Sequence, residues 1–207
     1  MKSPYVDATR FRRISRYLAG LLFLCAAWRL MTPVIAAADP LWVTARLSCT
    51  PACTAAVDPI GLLDREMQDA ARTRPDVEQK IREGAGGAGT RMMIVAARAV
   101  KAIPETLFLL SLAFAAMVFA RSGVQQRSLR WLRRAAWSAL AWPFAGSVAH
   151  ALNSLATTPM VLDRREMHLG IYPQDLILGL ILAGGLWLVI WALDEALRVR
   201  SEIDDYV

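Results

Sequence analysis

Four runs of this chain are each long and apolar enough to form a helix that crosses a bilayer, and no other feature constrains the fold as much. They span 17–38 (YLAGLLFLCAAWRLMTPVIAAA), 103–120 (IPETLFLLSLAFAAMVFA), 135–156 (AAWSALAWPFAGSVAHALNSLA) and 174–196 (QDLILGLILAGGLWLVIWALDEA). A helix of about 20 apolar residues covers roughly 30 Å of hydrocarbon. The composition, 56% apolar and 20% charged, matters less than its segregation, because the charges collect in the connections between the runs.

Orientation follows from Lys and Arg in the short connections, which are retained on the cytoplasmic side. Lys2, Arg10, Arg12, Arg13 and Arg16 precede the first run, and Arg121, Arg127, Arg130, Arg133 and Arg134 follow the second. The loop after the third run has only Arg164 and Arg165. The expectation is an all-α, integral-membrane four-helix bundle in a bacterial inner membrane, multi-pass, with both termini cytoplasmic. Its parts are a basic tail (1–16), span one (17–38), a mostly helical periplasmic excursion (39–102) and span two (103–120). A cytoplasmic basic connection (121–134), span three (135–156), a periplasmic loop (157–173), span four (174–196) and a cytoplasmic tail (197–207) complete it. A rival reading makes the first run a cleaved signal peptide, with Ala36 and Ala38 before Asp39 as the processing site. Against it, Arg29 interrupts the run, which is long enough to cross. The net charge of +6 does not indicate direct nucleic-acid binding, since the arginines flank spans with no aromatic interleaving or recognition motif.

Within the excursion, 39–58 (DPLWVTARLSCTPACTAAVD) reads as a short irregular loop. Asp58 followed by Pro59 predicts a capped helix to about Arg72, with Ile60, Leu62, Leu63, Met67, Ala70 and Ala71 at helical spacing. Pro75 to Glu83 predicts a further turn or two, with Asp76 and Glu78 at its favourable end. GAGGAG at 84–89 reads as a hinge. It lacks the Lys-Ser/Thr of a phosphate loop and the preceding strand of a dinucleotide site. Thr90 is the expected cap of a helix leading into span two, kinked at Pro104. Leu129, Trp131 and Leu132 among arginines predict a short helix at headgroup level before span three, and the tail continues span four as a helix.

Several residues are candidates for chemistry. Cys49 and Cys53 fall in the predicted oxidising compartment, where a turn at Pro51 permits a disulfide; the rival is a redox-active pair, for which Cys25 provides no second station. Counting from the cytoplasmic edge of each span, Arg29, Glu105 and His150 lie at roughly 18, 22 and 21 Å, one layer. An intramembrane polar cluster of Arg29 with Glu105, His150 and Asn153 nearby is one reading; snorkelling of each charge to the outer interface, with His150 as packing, is the other. Ser147 and His150 on one helix are poorly placed for a nucleophile and its base. Asp163, Glu166 and His168 lack a spacing that specifies a metal geometry. No catalytic residue, cofactor or metal site is therefore expected. Small residues four apart (Ala141, Ala145 and Ala149; Ser111 and Ala115; Ala116 and Ala120; Gly179 and Ala183) predict close helix packing, within one bundle or in a homo-oligomer. Trp28, Trp137, Trp142, Trp187 and Trp191 are expected near span ends or facing lipid.

The run 175–207 (DLILGLILAGGLWLVIWALDEALRVRSEIDDYV) resembles the last helix and tail of the DUF2975 family of small bacterial four-span membrane proteins. The segment 119–137 (FARSGVQQRSLRWLRRAAW) is similar to that family's connection between its second and third spans. The chain departs from the family at Arg198 to Arg200, where a glycine is usual, and in the excursion carrying Cys49 and Cys53. The resemblance implies a non-catalytic role in regulation, sensing or assembly, with the bilayer and a protein partner, such as a helix-turn-helix regulator or a membrane complex. A small transporter or channel subunit is the alternative, and a membrane thiol redox enzyme is the third reading.

Overall fold

The computed structural model describes residues 8–49, 53–63, 65–122, 125–162 and 173–204. Among these described residues the fold is all-α apart from one small hairpin. Among the described residues there are six α-helices: α1 (Ala8–Ala38), α2 (Arg65–Arg72), α3 (Pro75–Ala85), α4 (Ala88–Ser122), α5 (Gln126–Leu162) and α6 (Pro173–Asp204). Between α1 and α2 lie β1 (Ala45–Cys49) and β2 (Cys53–Val57), flanked by 3-10 turns at Pro40–Thr44 and Pro59–Leu62. Two compact units divide the chain. One comprises Met1–Arg29, Pro104–Pro143 and Pro173–Val207, the other Leu30–Ile103 and Phe144–Tyr172.

In the first unit the packing is inverted relative to a water-soluble protein. Helix α1 buries Ser15, Ala19 and Ala26, while Ile14, Tyr17, Leu18, Leu21, Leu24 and Trp28 are exposed. Helix α4 likewise buries Ser111, Ala115, Ala116 and Ala120, and α6 buries Ala183 while Leu180, Ile181, Leu188 and Trp191 are exposed. Small residues inside let helix backbones approach, and lipid rather than water suits the large apolar residues outside. The approach is tight at Gly179 of α6. A Cβ there would lie 2.9 Å from the Ala139 carbonyl oxygen and 2.8 Å from the Pro143 ring. Pro143 has no N–H, so the Ala139 carbonyl lacks its usual helical donor four residues on, at a place where α6 passes close by. Larger residues, Leu129, Leu132 and Ile190, gather with Ala115 at one end of this unit, packed by Leu112, Phe119, Trp131, Leu186, Leu193 and Leu197.

The second unit contains a core of the ordinary soluble kind. Leu62, Leu63, Ala71, Val77, Ile81 and Ala85 are buried together, with Leu41, Ile60, Met67, Met160 and Val161 against them. Asp58 caps the 3-10 turn, its Oδ1 accepting from the Ile60 N–H at 3.1 Å, with Pro59 following as the sequence suggests. Asp39 serves the preceding 3-10 turn the same way, accepting from the Leu41 N–H at 2.9 Å. Asn153 of α5 donates to the Leu62 carbonyl at 2.9 Å. The Arg91 guanidinium donates to the Ala37 and Ala38 carbonyls, two of the acceptors that the end of α1 leaves open.

Several local expectations are corrected. The irregular loop expected at 39–58 is a β-hairpin between two 3-10 turns. The helix expected from Pro59 to Arg72 is a 3-10 turn and a separate α2, because Leu63 leaves the helical conformation (φ −75°, ψ 155°). The hinge at 84–89 shrinks to Gly86 and Gly87, and α4 starts at Ala88 rather than being capped at Thr90. The short interfacial helix expected before span three is instead the beginning of α5. Leu129 and Leu132, placed by the sequence at headgroup level, are buried, since they continue the stripe of Ala135, Ala136 and Ala139 along one face.

Candidate functional site: an ion pair beside a cavity

Arg29 of α1 and Glu105 of α4 meet in the first unit, Nε to Oε2 at 3.1 Å. The glutamate side chain is 9% exposed and the arginine 50%. A buried carboxylate is costly unless paired, and the Arg29 guanidinium is the partner that Glu105 has here. The sequence places Arg29 after the twelve uncharged residues that follow Arg16, and Glu105 directly after Pro104. Both residues border a cavity of about 220 Å³, whose wall also includes Pro104, Phe108 and Leu109 of α4 and Ser138, Ala139 and Trp142 of α5. Leu178 and Leu182 of α6 also line it. The wall is mostly apolar, with one ion pair and one hydroxyl. Ser138 Oγ donates to the Arg134 carbonyl at 2.9 Å. Such a site can hold a small amphiphile or leave a space that the helices must span; it has no arrangement of nucleophile, base and oxyanion donors.

His150 belongs to the other compact unit and is half-buried, as does Ser147, which is buried; each makes an interaction of its own. Asn153, considered a neighbour of the polar layer, is engaged with the Leu62 carbonyl. Trp142, expected at a span end or facing lipid, is half-buried and lines the cavity, whereas Trp28, Trp137, Trp187 and Trp191 are exposed. Asp163, Glu166 and His168 lie outside the described residues. Among the described residues, no three His, Cys, Asp or Glu side chains converge as metal ligands.

A second feature of the same unit lies at the basic start of α5. Trp131 stacks on Phe114 of α4 at 4.7 Å, and Phe114 meets Phe23 of α1 edge-on at 5.4 Å. The Arg134 guanidinium sits 4.6 Å from the centre of the Trp131 ring. Gln126 donates to Asp194 of α6 at 3.3 Å, and Arg133 lies 3.7 Å from the same carboxylate. A groove of about 610 Å³ opens here, lined by Gln125, Gln126, Trp191, Asp194, Glu195, Leu197, Arg198 and Ser201. Sequence reasoning missed this groove, because Gln126 and Asp194 come from two helices and share no local pattern.

Cys49 and Cys53 are register partners across the β1–β2 ladder. Cys25 is exposed on α1.

This is an α-helical protein in which, among the described residues, three helices, within Arg12–Ala38, Ala88–Arg121 and Pro173–Ile203, are long and apolar enough to cross a membrane. With small residues inside and large apolar residues outside, this is consistent with a membrane protein. Helix α5 is equally long, but Arg127 to Arg134 and a polar series of Ser138, Ser147, His150, Asn153 and Ser154 dilute its apolar character. Comparison with protein-family models, with curated proteins and with solved structures found no match.

Proposed function

We propose that this chain is a non-catalytic protein of the bacterial inner membrane that works by docking a protein partner in a regulatory, sensory or assembly role. In this reading α5 supplies the fourth span, both termini are cytoplasmic, and 39–102 faces the periplasm. The unbroken course of α5 through 135–156 supports the fourth span, and the basic residues of 10–16 and 121–134 support the orientation. Kinship with the DUF2975 family is part of the same proposal and rests on 119–137 and 175–207.

The observation that carries the docking role is the groove between the start of α5 and the end of α6. It pairs an exposed tryptophan, Trp191, with charged groups of both signs at Asp194, Glu195 and Arg198, the mixture of aromatic anchor and polar rim that protein interfaces use. A photo-crosslinking residue at Val199 in intact membranes tests it, with the same residue at Gln79 of α3 as control. A discrete adduct to a different protein at Val199 is expected. Recovery of the chain alone, or of the same adducts from both positions, contradicts it.

The cavity beside Arg29 and Glu105 favours the second reading, a small transporter or channel subunit. That reading requires flux in proteoliposomes that falls in Glu105→Gln. A membrane thiol redox enzyme is the weakest reading, because three cysteines do not make two pairs.

A further inference from the structure

We propose that Cys49 and Cys53, which the hairpin register sets directly opposite one another on adjacent strands, are joined by an intramolecular disulfide that closes the tip of the hairpin. Opposed residues on antiparallel strands have Cα atoms about 4.5 or 5.5 Å apart, according to whether the pair is hydrogen-bonded. Disulfides span about 4.4–6.8 Å between Cα atoms, so both kinds of opposed position fall inside the window. A slip of one residue would remove the match, since side chains alternate faces along a strand. The register is therefore the decisive observation, and four-residue spacing alone would not have supplied it.

The rest of the ladder says why a covalent link belongs here. The sheet has only two strands, and the pairs behind the cysteines are Ser48 with Thr54, Leu47 with Ala55, Arg46 with Ala56 and Ala45 with Val57. Two-stranded hairpins are marginal in water, and alanine contributes little to cross-strand packing. A bond between the strand ends next to the turn pins the register that these pairs leave weakly specified.

The chemistry balances as a thiol–disulfide exchange. The Cys49 and Cys53 thiols lose two protons and two electrons as the S–S bond forms. The electrons go to the disulfide of an exported protein oxidant, which becomes a dithiol. Cys25, within the first apolar run, is out of reach of such an aqueous oxidant and remains a thiol. With three cysteines in the chain, one bridge and one thiol is a complete assignment.

The inference rests on the topology proposed above, which puts the hairpin in the oxidising compartment, and the experiment separates the two. Full-length protein in native membranes is denatured and counted with a mass-tagged maleimide before and after reduction. One tag before reduction and three after, on a species that runs as a monomer without reductant, is expected. The Cys49→Ser variant should then accept two tags without reduction. A disulfide-linked dimer overturns the intramolecular bridge. Three tags before reduction also overturns it, and a membrane-impermeant maleimide on intact spheroplasts then tells which premise failed. Labelling of Cys49 and Cys53 from outside leaves the topology standing without the bridge, and protection of both overturns the topology as well.

Discussion

Helix α1 and the segment 58–85 bury opposite kinds of residue, although they belong to one chain. Helix α1 hides Ser15, Ala19 and Ala26 and exposes Leu18, Leu21, Leu24 and Trp28. The segment 58–85 hides Leu62, Leu63, Val77 and Ile81 and turns Asp76, Glu78, Lys80 and Arg82 outward. The contrast reflects the solvent. In water the driving force is removal of large apolar surface; between helices in lipid that force is absent, and close backbone packing replaces it. The same kind of truncation should therefore have very unequal consequences in the two regions.

The largest effect is expected from truncating the soluble-type core. Ile81→Ala should cost about 2–5 kcal/mol, read as faster proteolysis within 58–85 of the purified full-length protein. Leu24→Ala on α1 removes a comparable side chain and should change stability in bilayers by less than about 0.5 kcal/mol, because lipid solvates the chain equally well before and after. Equal losses from both would break the comparison.

Adding volume should reverse the order. Gly179→Ala places a methyl group against the Ala139 carbonyl and the Pro143 ring and should destabilise the helices by about 1–3 kcal/mol in detergent unfolding. The neighbouring Gly184, around which a Cβ would meet nothing, should accept alanine without loss.

The ion pair comes next. Glu105→Gln should cost about 1 kcal/mol, held down by the half-exposure of Arg29. The double exchange Arg29→Glu with Glu105→Arg should recover expression lost in either single neutralisation. A double variant no better than the singles would assign the two charges independent roles. A small effect is expected from Arg198→Ala, which removes exposed pairs to Glu195 and Glu202 and should cost less than about 0.5 kcal/mol.

Elements governed by composition or by one strong local signal were legible in the sequence. The apolar runs mark α1, the later part of α4 and α6 without reference to tertiary structure. Asp58-Pro59 marks its cap because only a short acceptor before a proline serves that position. The depth count put Arg29, Glu105 and His150 in one layer; Arg29 and Glu105 lie 3.1 Å apart, whereas His150 belongs to the other compact unit. The hairpin was not legible. ARLSC and CTAAV lack the β-branched and aromatic alternation of a strand, and the proline between them reads as loop. The start of α5 misled for another reason. Arginines around Leu129 and Leu132 look the same in sequence whether the leucines meet headgroups or a neighbouring helix, and packing against Ala115 and Ile190 decides. The cavity was equally hidden, because Phe108, Trp142 and Leu182 come from three helices and share no local pattern.

Nitroxide accessibility in reconstituted bilayers tests most directly whether two solvents shape this chain. Spin labels would be placed singly at Leu24 of α1, Leu188 of α6 and Gln79 of α3, in a background with the native cysteines replaced by serine. Labels at Leu24 and Leu188 should relax with oxygen and be shielded from a water-soluble nickel chelate, while the label at Gln79 shows the reverse preference. Equal access of the chelate to all three positions would contradict the account.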